Sequence, residues 1–328
     1  MVGSYEIEVY NKNVKYLMNI NRNITLLRGD SGSGKTYLIN MIENVNRAGE
    51  SSGVSIKCEV PCVTMNILNI DALNKKCIIF IDEDAECIMK NTLERFIGHT
   101  EAYLVIVQRD VTKVKDKNKY TGMAIDICAV KKINNSGRYK VEGQIINEVD
   151  RIYNGKSNRV RIEDYDTVIT EDANSGFEFM KEVCKRHGVE CRSAEGNGSV
   201  AMEIYKEASN GKKVLAFIDA AAYGCYTEYI KIMMDAFVDK IALLAPESFE
   251  GMILQSEIIP GVEKLKLTNP EEFADSKEYK SIERYYTKEL IEETKGTNAR
   301  YCKDKLNSYY KSKHNIDRIA GRYIEVNE

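Results

Sequence analysis

Ile24-Thr25-Leu26-Leu27-Arg28-Gly29-Asp30-Ser31-Gly32-Ser33-Gly34-Lys35-Thr36 decides how the first half of this chain reads. From Gly29 onward it fits Gly-x-x-x-x-Gly-Lys-[Ser/Thr] at every fixed position. The glycines let the backbone wrap tightly enough for successive N–H groups to face phosphate oxygens. A helix predicted to begin at Lys35 adds the positive end of its dipole. Gly29, Asp30, Ser31, Gly32, Ser33 and Gly34 are therefore expected to line the phosphates of a nucleotide. Lys35 would reach the β- and γ-phosphates as a catalytic cation, and the Thr36 hydroxyl would join a Mg²⁺ shell. Context strengthens the motif: an apolar strand candidate at 24–27 precedes it and an amphipathic helix follows it.

Further along, Cys77-Ile78-Ile79-Phe80-Ile81-Asp82-Glu83 reads as a strand buried on both faces that delivers acids to one sheet edge. Asp82 is the expected Mg²⁺ partner, through water, and Glu83 is placed to polarise an attacking water. The run Tyr103-Leu104-Val105-Ile106-Val107 ends in Gln108-Arg109-Asp110. Gln108 or Arg109 would sense the γ-phosphate there, unless both are ordinary surface residues. The acid following Asp82, and a strand between the two motifs, resemble the additional-strand, catalytic-glutamate class of P-loop ATPases. That resemblance covers about residues 1–150 and implies ATP or GTP hydrolysis with Mg²⁺. No Leu-Ser-Gly-Gly-Gln signature occurs, and no arginine finger is identifiable. The stretch 113–119 reads as a basic lid or as a solvated loop. A P-loop kinase shares the loop and stays as an alternative, although Asp82-Glu83 favours attack by water.

Working outward, apolar runs of strand length alternate with helix-period stretches, the pattern of an α/β fold with a largely parallel sheet. Strand candidates are 24–27, 54–58, 77–81 and 103–107, with helices at 35–45 and 85–96. The segments 123–131 and 137–146 flank Asn134-Asn135-Ser136-Gly137 and predict an antiparallel pair. A second α/β run has strands at 167–170, 190–193, 214–218 and 240–244 and helices at 176–187, 199–209 and 226–237. The expected layout is a nucleotide-binding domain at 1–158, a second α/β domain at 165–262, and a charged helical segment at 263–328.

In the second run several strands end in acids. Thr170 runs into Glu171-Asp172, Ile218 into Asp219, and Leu244 into Ala245-Pro246-Glu247-Ser248-Phe249-Glu250. Parallel strands present these ends at one edge, where oxygen ligands would form a Mg²⁺ cup. Glu at the first strand end, a Gly-containing turn, then Asp at a later strand end resemble the Toprim domain over about residues 165–260. The pairing with an ATPase resembles the OLD nucleases and PARIS-like anti-phage proteins. It implies that Glu171 and Asp219 hold Mg²⁺ and act as catalytic residues in phosphodiester cleavage. Where the family has a second Asp, this chain has Ala221. Glu247 or Glu250 would substitute, or the site holds one Mg²⁺, or it is inactive. A receiver-like domain would use the same acids but expects Ser or Thr where Ala245 stands. A further reading makes them ordinary strand-end turn residues.

The 328 residues allow two ordinary domains, and 43% hydrophobic content describes a globular chain. A net charge of −3, from 47 basic and 50 acidic side chains, neither announces nor excludes nucleic acid. Nine cysteines without Cys-x-x-Cys suit free thiols in a reducing cytosol, and Cys58 and Cys62 lack partners for a zinc site. The N-terminus has no signal-peptide pattern, and no apolar run spans a bilayer. A cytoplasmic protein with no membrane partner is the expectation. From 295 to 322, eight Lys or Arg stand against two acids with Tyr301, Tyr309 and Tyr310 interleaved. Such a face would contact DNA or RNA, or the tyrosines would pack inward. His99, His187 and His314 suggest no triad or metal site. A second copy of the chain or a partner protein completes the expected partners.

Overall fold

The computed structural model describes residues 1–65, 74–82, 101–107, 125–133, 143–151, 159–220, 227–279 and 281–325. The predicted helix at 85–96, the turn at 134–137 and the stretch 113–119 lie outside these residues. The protein is a mixed α/β structure with two sheets. The chain forms two compact units, one of residues 1–153 with 271–281 and one of residues 154–270 with 282–328. The segment 263–328, set apart in the sequence, is thus divided between the two.

The first unit holds a nine-stranded sheet. Its strands are β1 (Tyr5–Tyr10), β2 (Val14–Ile20), β3 (Ile24–Arg28), β4 (Ser55–Lys57), β5 (Cys62–Thr64), β6 (Ile78–Ile81), β7 (Tyr103–Val107), β8 (Ile125–Ile133) and β9 (Ile145–Arg151). They lie in the order β4-β1-β2-β9-β8-β3-β7-β6-β5. From β8 to β5 every pairing is parallel. The expected antiparallel pair is β8 and β9, whose second strand runs over 145–151; of the expected 137–146, residues 137–142 lie outside the described residues. Each residue of β6 and β7 is buried, as unbroken apolar runs require when both sheet faces are covered.

Helix α1 (Lys35–Ala48) buries Leu38, Ile39, Met41 and Ile42, a single stripe at helical spacing. Leu38, Met41 and Ile42 join Leu27, Phe80 and Val105 in one core, each such side chain contributing about 1.5–3 kcal/mol. The hairpin of β1 and β2 does not appear among the predicted strands. Its alternation of buried Tyr5, Ile7 and Val9 with polar neighbours is a two-residue period with no long apolar run. Residues 271–281 return to this unit, where Gly3 N–H donates to Glu271 O and Ser276 N–H to Met1 O.

The second unit has a four-stranded, wholly parallel sheet in the order β11-β10-β12-β13. The strands are β10 (Thr167–Thr170), β11 (Glu190–Ser193), β12 (Val214–Phe217) and β13 (Ile241–Leu244). The helices are α2 (Ser175–His187), α3 (Asn197–Ser209), α4 (Thr227–Ala236), α5 (Phe249–Gln255), α6 (Lys264–Thr268), α7 (Ile282–Glu293) and α8 (Lys313–Ala320). The chain runs from β10 outward to β11, then crosses back over β10 to β12. Thr170 is in register with Phe217, and Phe217 with Leu244. The acids that follow these strands therefore share one edge, beside the point where the strand order reverses.

Candidate functional site

In the first unit, the loop at 29–36 joins the end of β3 to the start of α1. Gly32 (φ +80°) and Gly34 (φ +96°) take left-handed backbone that a side chain would strain. The hydroxyl of Tyr16 donates to Gly34 O at 2.9 Å and pins the end of the loop. Lys35 is only 6% exposed. Its ammonium folds back onto the loop, donating to Gly29 O, to Asp30 O at 3.0 Å and to Ser33 Oγ at 3.0 Å. Those are bonds that an anion's oxygens would exchange for their own. Thr36 occupies the first turn of α1.

Register brings Asp82 to the same sheet end. Leu27 pairs with Val107, and Ile81 with Ile106, so β7 separates β3 from β6. Two strand spacings put the strand of Asp82 roughly 9.5 Å from that of the loop. Glu83, Gln108 and Arg109 lie outside the described residues.

In the second unit, Glu171, Asp172, Asp219, Glu250, Glu283 and Lys303 line one cavity of about 160 Å³. The backbone N–H of Asp219 donates to Glu171 Oε2 at 3.1 Å. Asp219 Oδ1 in turn accepts from Phe249 N–H at 2.9 Å, which ties the end of β12 to the first turn of α5. Glu250, on α5, is 1% exposed. Its Oε1 accepts from the Tyr301 hydroxyl at 2.9 Å, and Ser175 Oγ lies 2.7 Å from the same hydroxyl. Glu250 Oε2 is buried with no hydrogen-bond partner. Lys303 donates to Glu283 Oε1.

The electrostatics follow from crowding acids into a dry place. Burial drives the Glu171 carboxyl up to about 8, with Glu283 and Asp172 adding to the rise. Burial, then Glu250 and Glu171, hold Asp219 well above the ordinary carboxylate range. Burial also raises Asp172 and Glu250, and Lys303 works against the rise at both. For Lys303 itself burial disfavours the charge, but Glu283, Glu250 and Asp219 outweigh it and keep the ammonium above its usual range.

Sequence reasoning singled out Glu171, Asp219 and Glu250, and the fold brings these three to one cavity. It gave Asp172 a place only in the receiver-like reading, beside Glu171 and Asp219, and did not name Glu283 and Lys303 at all. The last two come from a segment more than 30 residues beyond the sheet, and a charged helical stretch carries no local mark of where it docks. Ala221 lies outside the described residues. Among the described residues, no group of three or more His, Cys, Asp or Glu stands arranged to hold a metal ion. The acids lining this cavity already answer to Asp219 N–H, Phe249 N–H, Tyr301 and Lys303. The unpartnered Glu250 oxygen nevertheless suits an added cation, which would relieve a buried acceptor.

Two further expectations meet the structure here. Tyr301 and Tyr310 are core residues, at 3% and 0% exposure, so neither can stack on a base. Tyr309 is half-buried, with its hydroxyl on Ile258 O. His187 does have an acid beside it: Nδ1 lies 2.6 Å from Glu163 Oε1, at the protein surface.

In comparisons with known proteins, no family model matches the chain and no curated protein matches it. Among the described residues no helix is long and apolar enough to cross a membrane. Geometry and chemistry alone carry the functional reading.

Proposed function

We propose that the chain binds a nucleoside triphosphate with Mg²⁺ through residues 29–36 and Asp82, hydrolyses it, and thereby controls a divalent-ion effector site at Glu171, Asp219 and Glu250. The observation that carries this is the junction of β3, the glycine loop and α1, with Asp82 ending a parallel strand two places away. Successive backbone N–H groups and the start of α1 favour phosphate oxygens there. Lys35 exchanges its bonds to Gly29 O, Asp30 O and Ser33 Oγ for the β- and γ-phosphates. Thr36 and Asp82 hold Mg²⁺, which when bound neutralises charge on the phosphates. Glu83, next in sequence to Asp82, orients and deprotonates the attacking water.

The second unit is read as Toprim-like because Glu171 and Asp219 sit side by side where the strand order reverses. Cleavage of a phosphodiester in nucleic acid, and a place in phage defence, belong to that resemblance. A second reading has a specific observation behind it: among the described residues no three acids are arranged to hold a metal ion. In that reading the unit binds a partner and performs no chemistry.

Calorimetry with Mg·ATP and Mg·GTP tests the first site. The wild type gives a binding isotherm with at least one of them, and Lys35→Ala gives none. No heat from the wild type ends the proposal. Phosphate release that is lost in Glu83→Gln, with binding kept, supports hydrolysis. Divalent-dependent nicking lost in Glu171→Gln and in Asp219→Asn separates the effector reading from the partner-binding one.

A further inference from the structure

Five carboxyl groups line the cavity of the second unit, and one ammonium, Lys303, lines it with them. Lys303 is attached to Glu283 of α7, so both partners of the ion pair come from the C-terminal segment while Glu171, Asp219 and Glu250 come from the sheet edge and α5. Lys303 acts electrostatically on Glu171, Asp172 and Glu250 as well as on its own partner. One buried carboxylate oxygen, Glu250 Oε2, has no partner. Among the described residues, no three of these carboxyls form a group able to hold a metal ion as they stand.

The cluster thus already contains a cation, held by Glu283 and not by the unpartnered oxygen of Glu250. We propose that Lys303 is a resident counter-ion that competes with a divalent cation for the carboxylates of Glu250, Asp219 and Glu171, with Glu283 holding the ammonium to one side. The inference rests on the effector-site reading above and adds a control to it. Like charges a few ångströms apart in a partly desolvated cavity repel strongly, so the lysine raises the ion concentration at which the site fills. Glu283 sets how far the ammonium can be drawn off. Loosening that tether lets Lys303 turn toward Glu250 and Asp219 and tightens the block.

The test is a titration of the full chain with Mn²⁺ alone, without nucleotide, followed by electron paramagnetic resonance. A Lys35→Ala background keeps the glycine loop out of the count. Lys303→Met should bind Mn²⁺ at least tenfold more tightly than the parent. Lys303→Arg, which keeps the charge, should stay within about threefold of the parent. Glu283→Gln should bind at least threefold more weakly. The opposite signs guard against misfolding, because a collapsed site would weaken binding in every variant. Binding by Lys303→Met with none by the parent also supports the proposal. Unchanged or weaker binding in Lys303→Met, with the parent still binding, overturns the counter-ion role alone. No Mn²⁺ bound by either overturns the metal reading as well.

Discussion

The Tyr301 hydroxyl donates to Glu250 Oε1 across 2.9 Å, joining residues 51 apart in sequence inside the core of the second unit. It answers one oxygen of a buried carboxylate whose other oxygen has no partner. Tyr301→Phe keeps the ring and removes that answer, and it also takes a partner from Ser175. The loss should be about 1–3 kcal/mol, the cost of stranding a buried acceptor. Urea unfolding followed by circular dichroism measures it. A change below about 0.3 kcal/mol would mean that the bond contributes nothing net.

Gly34 and Gly32 offer a matched pair in the glycine loop. Both have left-handed backbone, so alanine at either costs about 1–2 kcal/mol in strain. A Cβ on Gly34 would also lie 2.5 Å from the Tyr16 hydroxyl oxygen, whereas one on Gly32 meets nothing within 4 Å. Gly34→Ala should therefore be the more damaging to stability. Adding Tyr16→Phe to it should recover part of the difference, because the clashing atom is gone. Equal losses for the two single variants, with no rescue, would refute the contact.

The pH dependence of the second unit follows from Glu171. In the folded chain its carboxyl keeps a proton to about pH 8, against an ordinary value of 4.5. Between those limits unfolding releases a proton, so stability is complete below about pH 4.5 and falls as the pH rises through 8. Glu171→Gln cannot ionise and escapes that loss. The wild type should fall behind this variant by about 1.4 kcal/mol per pH unit across the window, measured in the presence of EDTA. A gap between the two that stays constant from pH 5 to 8 would rule the mechanism out.

Cys58 is the thiol to watch in the first unit. A hydrogen bond from the Cys62 thiol, with backbone N–H groups of Val60 and Glu59, draws Cys58 down to about 6 despite partial burial. Cys62 is buried, and its hydrogen bond to Cys58, followed by burial, pushes it the other way. Iodoacetamide at pH 7 should label Cys58 ahead of Cys62, with a rate that levels off above about pH 7. Mass spectrometry of the 58–62 peptide reads both. A Cys58 rate still climbing steeply at pH 8.5 would contradict the lowered value, and Cys62→Ala should restore that ordinary profile.

Much of the layout was legible without coordinates. The runs at 103–107 and 167–170 are strands over those same residues, because a short apolar or β-branched run bounded by turns has few other uses. The hairpin of β1 and β2 was not legible by that criterion. Its apolar residues alternate with Glu6, Glu8, Lys15 and Asn19, so no run stands out although the two-residue period is present. The division of 263–328 between two units was also hidden. It depends on backbone hydrogen bonds such as Gly3 to Glu271, and backbone groups leave no trace in residue types.

Local chemistry lies within the reach of sequence. Glycine at 32 and 34 and lysine at 35 announce a tight turn opening a helix, since left-handed backbone and a helix start are properties of a few neighbouring residues. Strand ends announce Glu171 and Asp219 for the same reason. Only the tertiary structure decided that Glu283 and Lys303 complete the acidic cavity, and that Tyr301 and Tyr310 face inward. Those outcomes depend on how a distant segment docks. Docking is set by the shape and charge of the surface it meets, which no stretch of neighbouring residues encodes by itself.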